Sequence, residues 1–161
     1  MKLREAISDA QDRLEDAEVP EAEFDARALA AHVLDIRLSQ LPMHQERMLT
    51  GEEMAAIDTL VACRGRREPL QYLIGTTEFY GLEFTCDERA LIPRGDTEAL
   101  VDVSLELVDD LELTVVADIG TGTGVVGLAL AEQRDDLTVH LTDLSADALA
   151  LAGENVELLG L

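Results

Sequence analysis

Along the first third of the chain, apolar residues return every three or four positions. Leu3, Ile7, Ala10, Leu14 and Ala17 recur with charged residues between them, the spacing of an amphipathic helix. Pro20 ends that pattern. A second stripe follows, with Phe24, Ala28, Leu29, His32, Val33 and Ile36 on or near one side. Thr50-Gly51-Glu52-Glu53 has the capping-box form: the Thr50 hydroxyl can accept from an early amide while Glu53 reaches back. It opens a third helix with Met54, Ile57, Leu60 and Val61 inside. These stripes predict a helical bundle over residues 1–68. Between 69 and 95 the pattern changes. Gly75, Gly81 and the alternating Leu82, Phe84 and Cys86 predict a short hairpin linking the bundle to the rest of the chain. Pro93 then precedes a helix with Asp96, Thr97 and Glu98 in its first turn, acids suited to an N-terminus. Its expected apolar side is Leu100, Val101, Val103, Leu107 and Val108. Next come a strand (114–118), a glycine loop, a helix to about Arg134, a strand (137–142) and a helix opening near Ser145 or Ala146. This β-α-β-α order predicts a parallel sheet with right-handed crossovers, and an α/β domain over residues 96–161.

The candidate chemistry lies where the first of those strands ends. Asp118-Ile119-Gly120-Thr121-Gly122-Thr123-Gly124 sets an acid and three alternate glycines before an apolar helix. Glycines let the backbone turn sharply and let a ligand approach the main chain, and the helix start offers N–H groups to a polar or anionic ligand. The pattern is that of a nucleotide-like cofactor cradle, in one of two registers. Gly122-x-Gly124-x-x-Gly127 formally matches the dinucleotide fingerprint. In that motif, however, the first glycine directly follows the strand, a place held here by Gly120, and counting from Gly120 puts Val125 where the third glycine belongs. Asp143 follows the second strand, where an acid accepts hydrogen bonds from a ribose diol; capping the next helix is its alternative role, shared with Ser145. Asp118 either orders the loop through its amides or touches the ligand, and both readings stand.

Composition narrows the partners. An apolar fraction of 47% is that of a globular protein with a core, and no apolar run approaches the ~20 residues that span a bilayer. The first residues lack the apolar segment of a signal peptide, so a cytoplasmic protein is expected. Net charge is −22. It is uneven: residues 1–75 carry 9 basic and 15 acidic groups, residues 76–161 carry 3 and 19. Such a surface disfavours direct binding to nucleic acid. Arg64-Gly65-Arg66-Arg67 is the one basic cluster, read as a solvated helix end with an acidic partner or RNA as the alternative. Cys63 and Cys86 have no metal-type spacing and His32, His44 and His140 are scattered, so reduced structural cysteines and no metal site are expected.

Three motifs in order carry a family resemblance. Pro69-Leu70-Gln71-Tyr72-Leu73-Ile74-Gly75 with Phe79-Tyr80-Gly81-Leu82, then Leu91-Ile92-Pro93-Arg94-Gly95-Asp96-Thr97-Glu98, then Asp118 to Gly124 together resemble the HemK-type protein-(glutamine-N5) methyltransferases. The resemblance spans the whole chain. It implies a helical substrate-recognition domain, a hairpin linker and the start of a class I, Rossmann-like, S-adenosylmethionine-dependent methyltransferase domain. It also implies transfer of a methyl group from S-adenosylmethionine to the glutamine of the Gly-Gly-Gln loop in class I peptide-chain release factors. By the resemblance, Gly120, Thr121, Gly122, Thr123 and Gly124 lie under the methionine part of the cofactor, Asp143 binds the ribose hydroxyls, and Pro93 and Arg94 form a wall nearby.

There are two departures. Gly95 stands where the family usually has a second proline, which loosens that backbone. The family's Asn-Pro-Pro-Tyr motif, which holds the substrate amide beside the methyl donor, is not among these 161 residues. No catalytic residue is therefore assigned in this segment, which is expected to be inactive by itself. An amide nitrogen is a poor nucleophile because its lone pair is delocalised, so catalysis rests on groups that orient it. A parallel sheet of two strands leaves apolar surface and a strand edge exposed, so the segment is expected to self-associate. A ribosomal-protein substrate, a non-catalytic docking module for a release factor and, remotely, a dinucleotide oxidoreductase are the competing readings.

Overall fold

The first half forms five helices: α1 (Leu3–Asp16), α2 (Ala22–Val33), the short α3 (Leu41–His44), α4 (Gly51–Gly65) and α5 (Leu70–Ile74). Of these, α1, α2 and α4 follow the three apolar stripes, and α5 lies in the stretch expected to belong to the hairpin linker. The computed structural model describes residues 1–161, which divide into two units, Met1–Ile74 and Gly75–Leu161.

In the first unit, α1 turns Leu3, Ala6, Ala10 and Leu14 inward, against Ala26, Leu29 and Ala30 of α2 and Ile57 and Val61 of α4. The Thr50 capping box forms as expected: the Thr50 hydroxyl accepts from the Glu53 amide at 3.2 Å, and Glu53 accepts from the Thr50 amide at 2.9 Å. The second stripe turns Ala28 and Leu29 inward, with Val33 and Ile36 packed against the same core, but two of its expected members fall outside. Phe24 is 50% exposed and His32 lies on the surface, while Asp25 is buried with Ala22, Ala26 and Leu29. The reason is electrostatic: Arg64 Nε, at the end of α4, donates to Asp25 Oδ2 at 2.6 Å, which compensates a carboxylate that burial alone would penalise. Arg64 also donates to the Glu68 carbonyl, and Arg66 to Glu68 and to the Cys63 sulfur. Arg64 is thus drawn in by its own chain, whereas Arg66 and Arg67 stay exposed at the helix end, as expected.

The second unit opens with the hairpin, β1 (Thr76–Phe79) and β2 (Leu82–Thr85), paired antiparallel with Phe79 opposite Leu82. Tyr80 and Gly81 make the two-residue turn, both with positive φ (53° and 73°), as a primed hairpin turn requires. Phe79 and Phe84 meet edge-to-face and enter a core with Val101 of α6 (Glu98–Asp110) and Leu128 and Ala129 of α7 (Val125–Gln133). The hairpin therefore packs as part of this unit.

Strands β3 (Val115–Ile119) and β4 (Thr138–Thr142) pair in parallel, Ala117 opposite His140. Val116 and Leu141 face the core under α7, whereas Val115, Ala117, Ile119 and His140 point to the bare side, Ile119 with 78% of its surface accessible. Helix α8 (Ala146–Leu159) is capped by Ser145, whose hydroxyl accepts from the Ala148 amide at 3.2 Å. On α6 the buried side is Val101 and Val108, with Leu105 partly covered. Leu100, Val103 and Leu107, expected inside, are about half exposed. They lie on a neighbouring strip of the helix that this chain leaves uncovered.

Candidate functional site

The glycine loop joins the end of β3 to the start of α7, and hydrogen bonds from both strands hold it. The Gly120 and Thr121 amides donate to the Thr142 carbonyl at 2.8 and 2.9 Å, tying the loop to the last residue of β4. Gly124 closes a turn on the Thr121 carbonyl at 2.9 Å and serves as N-cap of α7 at φ 87°. A side chain there would be strained and would lie 3.0 Å from Leu128 Cδ1 and 3.3 Å from Ala152 Cβ. Thr121 and Thr123 are buried.

Of the two roles open to Asp118, loop ordering is the one the geometry displays. Its Oδ2 accepts from the Thr121 hydroxyl at 2.7 Å and from the Gly127 amide at 3.1 Å. One carboxylate oxygen thereby binds the loop to the first turn of α7, where negative charge also suits the helix dipole. Gly127 itself is a packing glycine. A Cβ on it would fall 2.3 Å from Leu141 Cδ2, 3.1 Å from Val139 Cγ1 and 3.3 Å from Asp118 Cβ. It plays the helix-to-strand part of the third glycine of the dinucleotide motif, although the loop before it is wound differently.

Asp143 stands at the mouth of the loop. Its Oδ2 accepts from the Gly122 amide and its Oδ1 from the Ser145 amide, each at 2.9 Å. These backbone bonds, Ser145 first and Gly122 next, hold its carboxyl below the usual aspartate range. The cap of α8 is Ser145, so Asp143 is an acid fixed beside the loop with lone pairs to spare. From the segment before α6, Ala90 reaches the loop, its Cβ 3.8 Å from where a Gly122 Cβ would be. Pro93 is half-buried and Arg94 exposed, the latter opening the single turn Gly95–Thr97. The geometry thus gathers Asp118, the glycine loop and Asp143 in one place, with Pro93 and Arg94 further along a neighbouring segment.

One residue of this region escapes sequence reasoning. Asn155 of α8 is completely buried. Its Nδ2 donates to the Thr123 carbonyl at 2.9 Å and the Thr85 carbonyl at 3.1 Å, and its Oδ1 accepts from the Thr85 amide at 2.7 Å. The available signal was a polar residue on the apolar stripe Ala148, Leu151, Ala152, Asn155. Beside it, Glu154 takes Arg89 in a bidentate pair at 2.6 and 2.7 Å, fastening the segment after the hairpin to the same helix. Cys86 is fully buried, and burial, with Asp87 adding to it, pushes its thiol up to about 11. It is a structural, protonated thiol.

A hairpin packed with a β-α-β-α run, two parallel strands and a glycine loop between strand and helix define the start of a Rossmann-like methyltransferase domain, preceded by a helix-rich unit. Comparison with known proteins agrees and is more specific. Residues 5–75 match the PrmC N-terminal domain, and residues 97–161 match the methyltransferase small domain. The whole chain is 42% identical to a Deinococcus radiodurans protein named release factor glutamine methyltransferase, covering 58% of it. Proteins of the same name from Koribacter versatilis and Streptococcus pneumoniae are 36% and 43% identical, over 96% and 70% of this chain and 55% and 40% of their own lengths. The chain belongs to the PrmC, or HemK-type, methyltransferase family, and it spans about half the length of the curated relatives it matches.

Proposed function

We propose that this chain forms part of an enzyme that transfers a methyl group from S-adenosylmethionine to the side-chain amide nitrogen of the glutamine in the Gly-Gly-Gln loop of a peptide-chain release factor. The observation that carries the reading is the likeness over the full chain to relatives bearing that name. The glycine loop supports the choice of cofactor. Its amides at Gly120, Thr121, Gly122 and Gly124 already have acceptors in Thr142, Asp143 and Thr121. A dinucleotide pyrophosphate needs such amides free, together with positive potential. Here the charges hydrogen-bonded to the loop and the helix start are the carboxylates of Asp118 and Asp143. That setting fits a phosphate-free cofactor with a ribose diol and a cationic sulfonium.

When bound, S-adenosylmethionine supplies an electrophilic methyl group on sulfur. What this chain's residues do is hold and orient. Asp143 accepts from the ribose hydroxyls through the lone pairs that Gly122 and Ser145 leave available. Asp118 stiffens the loop from beneath, and Gly120 to Gly124 permit close approach to the main chain. The helical unit is the proposed selector of the protein substrate.

The test is direct. The full-length protein is incubated with a release factor and S-adenosylmethionine, and peptides spanning Gly-Gly-Gln are analysed by mass spectrometry. One added methyl on that glutamine is expected. Methyl transfer to a ribosomal protein alone, or binding of NAD in place of S-adenosylhomocysteine, refutes the reading.

A further inference from the structure

We infer that Asn155 is a positioning residue for the cofactor loop: through its side-chain amide, α8 sets the orientation of the Thr123–Gly124 peptide and so the shape of the cradle. The inference rests on the methyltransferase reading and assigns a task within it to a residue remote in sequence from the glycines.

The end of the hairpin offers unpaired backbone groups. With Phe79 opposite Leu82 across a two-residue turn, Thr85 occupies a non-hydrogen-bonded position opposite Thr76. Its N–H and C=O therefore point away from β1. Asn155 takes both, as a neighbouring strand would. The second Nδ2 hydrogen goes to the Thr123 carbonyl. That carbonyl shares a peptide plane with the Gly124 amide, which donates to the Thr121 carbonyl. A peptide followed by glycine is the easiest to flip, because glycine accepts φ of either sign, and Gly124 sits at φ 87°. Flipping would turn the Gly124 amide from its acceptor and deform the loop. It would also leave the buried Asn155 without one acceptor, a state that native structures avoid. The rigid hairpin end thus serves as the reference against which Asn155 holds the loop.

The probe is S-adenosylhomocysteine, titrated calorimetrically into the full-length protein and two variants. Asn155→Leu keeps the branching at Cγ in a larger side chain and removes all three hydrogen bonds. Asn155→Asp keeps the acceptor for the Thr85 amide and loses both donors. Each is expected to bind roughly ten-fold more weakly, the effect of one lost buried hydrogen bond. The Asp variant adds a readout that a purely structural role would not move. Burial and two facing carbonyls raise the pKa of the new carboxyl, and its protonated form regains one O–H donor. Its affinity should recover several-fold between about pH 8 and about pH 5.5. The unaltered protein, which shares Asp118, Asp143 and Glu154, supplies the baseline over the same range. Variant affinities within two-fold of the parent, or an Asp variant with no recovery at low pH, overturn the inference. An isotope-labelled sample of the unaltered protein gives a reading that needs no variant. Ligand should shift the Asn155 side-chain NH₂ signals together with the Gly122 and Gly124 amides, and movement of the glycines alone overturns the inference. An unaltered protein that fails to bind S-adenosylhomocysteine removes the methyltransferase reading, and this inference with it.

Discussion

Two glycines sit inside helices of the second unit, and replacing each by alanine should shift stability in opposite directions. In α8, a Cβ on Gly153 meets nothing within 4 Å. There alanine contributes only its better helix propensity, a gain of about 0.5–1 kcal/mol. In α7, a Cβ on Gly127 falls 2.3 Å from Leu141 Cδ2, over 1 Å inside ordinary carbon contact, with Val139 Cγ1 at 3.1 Å and Asp118 Cβ at 3.3 Å behind it. Leu141 can swing its methyl away only by giving up its place in the core. Otherwise α7 lifts from the sheet and lengthens the 3.1 Å bond from the Gly127 amide to Asp118. Overpacking of this kind costs about 1–3 kcal/mol. After the propensity gain, Gly127→Ala should lose about 1–2 kcal/mol. The propensity gain is common to both, so the two variants should stand about 1–3 kcal/mol apart, although the chemical change is identical. Urea unfolding followed by circular dichroism, with unchanged m-values, measures the difference. Equal midpoints for the two variants, or a Gly127→Ala protein more stable than its parent, would refute the reasoning that α7 and the sheet are in contact at that glycine.

The two donors that Asp118 accepts converge on one oxygen, so Asp118→Asn can keep both bonds and should cost under about 1 kcal/mol, whereas Asp118→Ala should cost roughly 2–3; similar losses for both in the same unfolding assay would contradict that geometry. Asp143 has a lowered folded pKa, so its stabilising bonds are fully present above the ordinary aspartate value near 3.9 and are lost as pH falls through the folded value. The Gly122 amide resonance should report this as a titration centred below the ordinary range and absent in Asp143→Asn; a midpoint at or above the ordinary value would sink the assignment. The bare side of the β3–β4 pair, with Val115 and Ile119 exposed, should drive the 161-residue chain to associate. Sedimentation should show mass rising with concentration and falling back in Ile119→Glu, and a parent that stays monomeric throughout would count against it.

Much of this molecule is local and therefore legible in a linear sequence. The capping box at Thr50, the Tyr80-Gly81 turn and the strand–glycine–helix order each depend on residues a few positions apart, whose backbone preferences act over that range. Asp143 beside the loop was readable for the same reason, since a parallel β-α-β unit brings the ends of adjacent strands together. Other features depend on what each residue faces. Helical spacing alone could not tell that α2 buries Asp25 rather than Phe24, because Arg64, which makes that burial tolerable, arrives from α4. Nor could it tell which of the adjacent apolar strips of α6 meets the hairpin and α7. Only the tertiary contacts turn Gly127 from a formal motif match into a packing requirement. They also turn Asn155 from a polar interruption of an apolar stripe into a tie between the hairpin and the loop, 70 and 32 residues away. Sequence by itself determined where the glycine loop is and what kind of residues build it. The fold decided which groups hold its shape, because hydrogen bonds and close packing are settled between segments that meet only once the chain has folded.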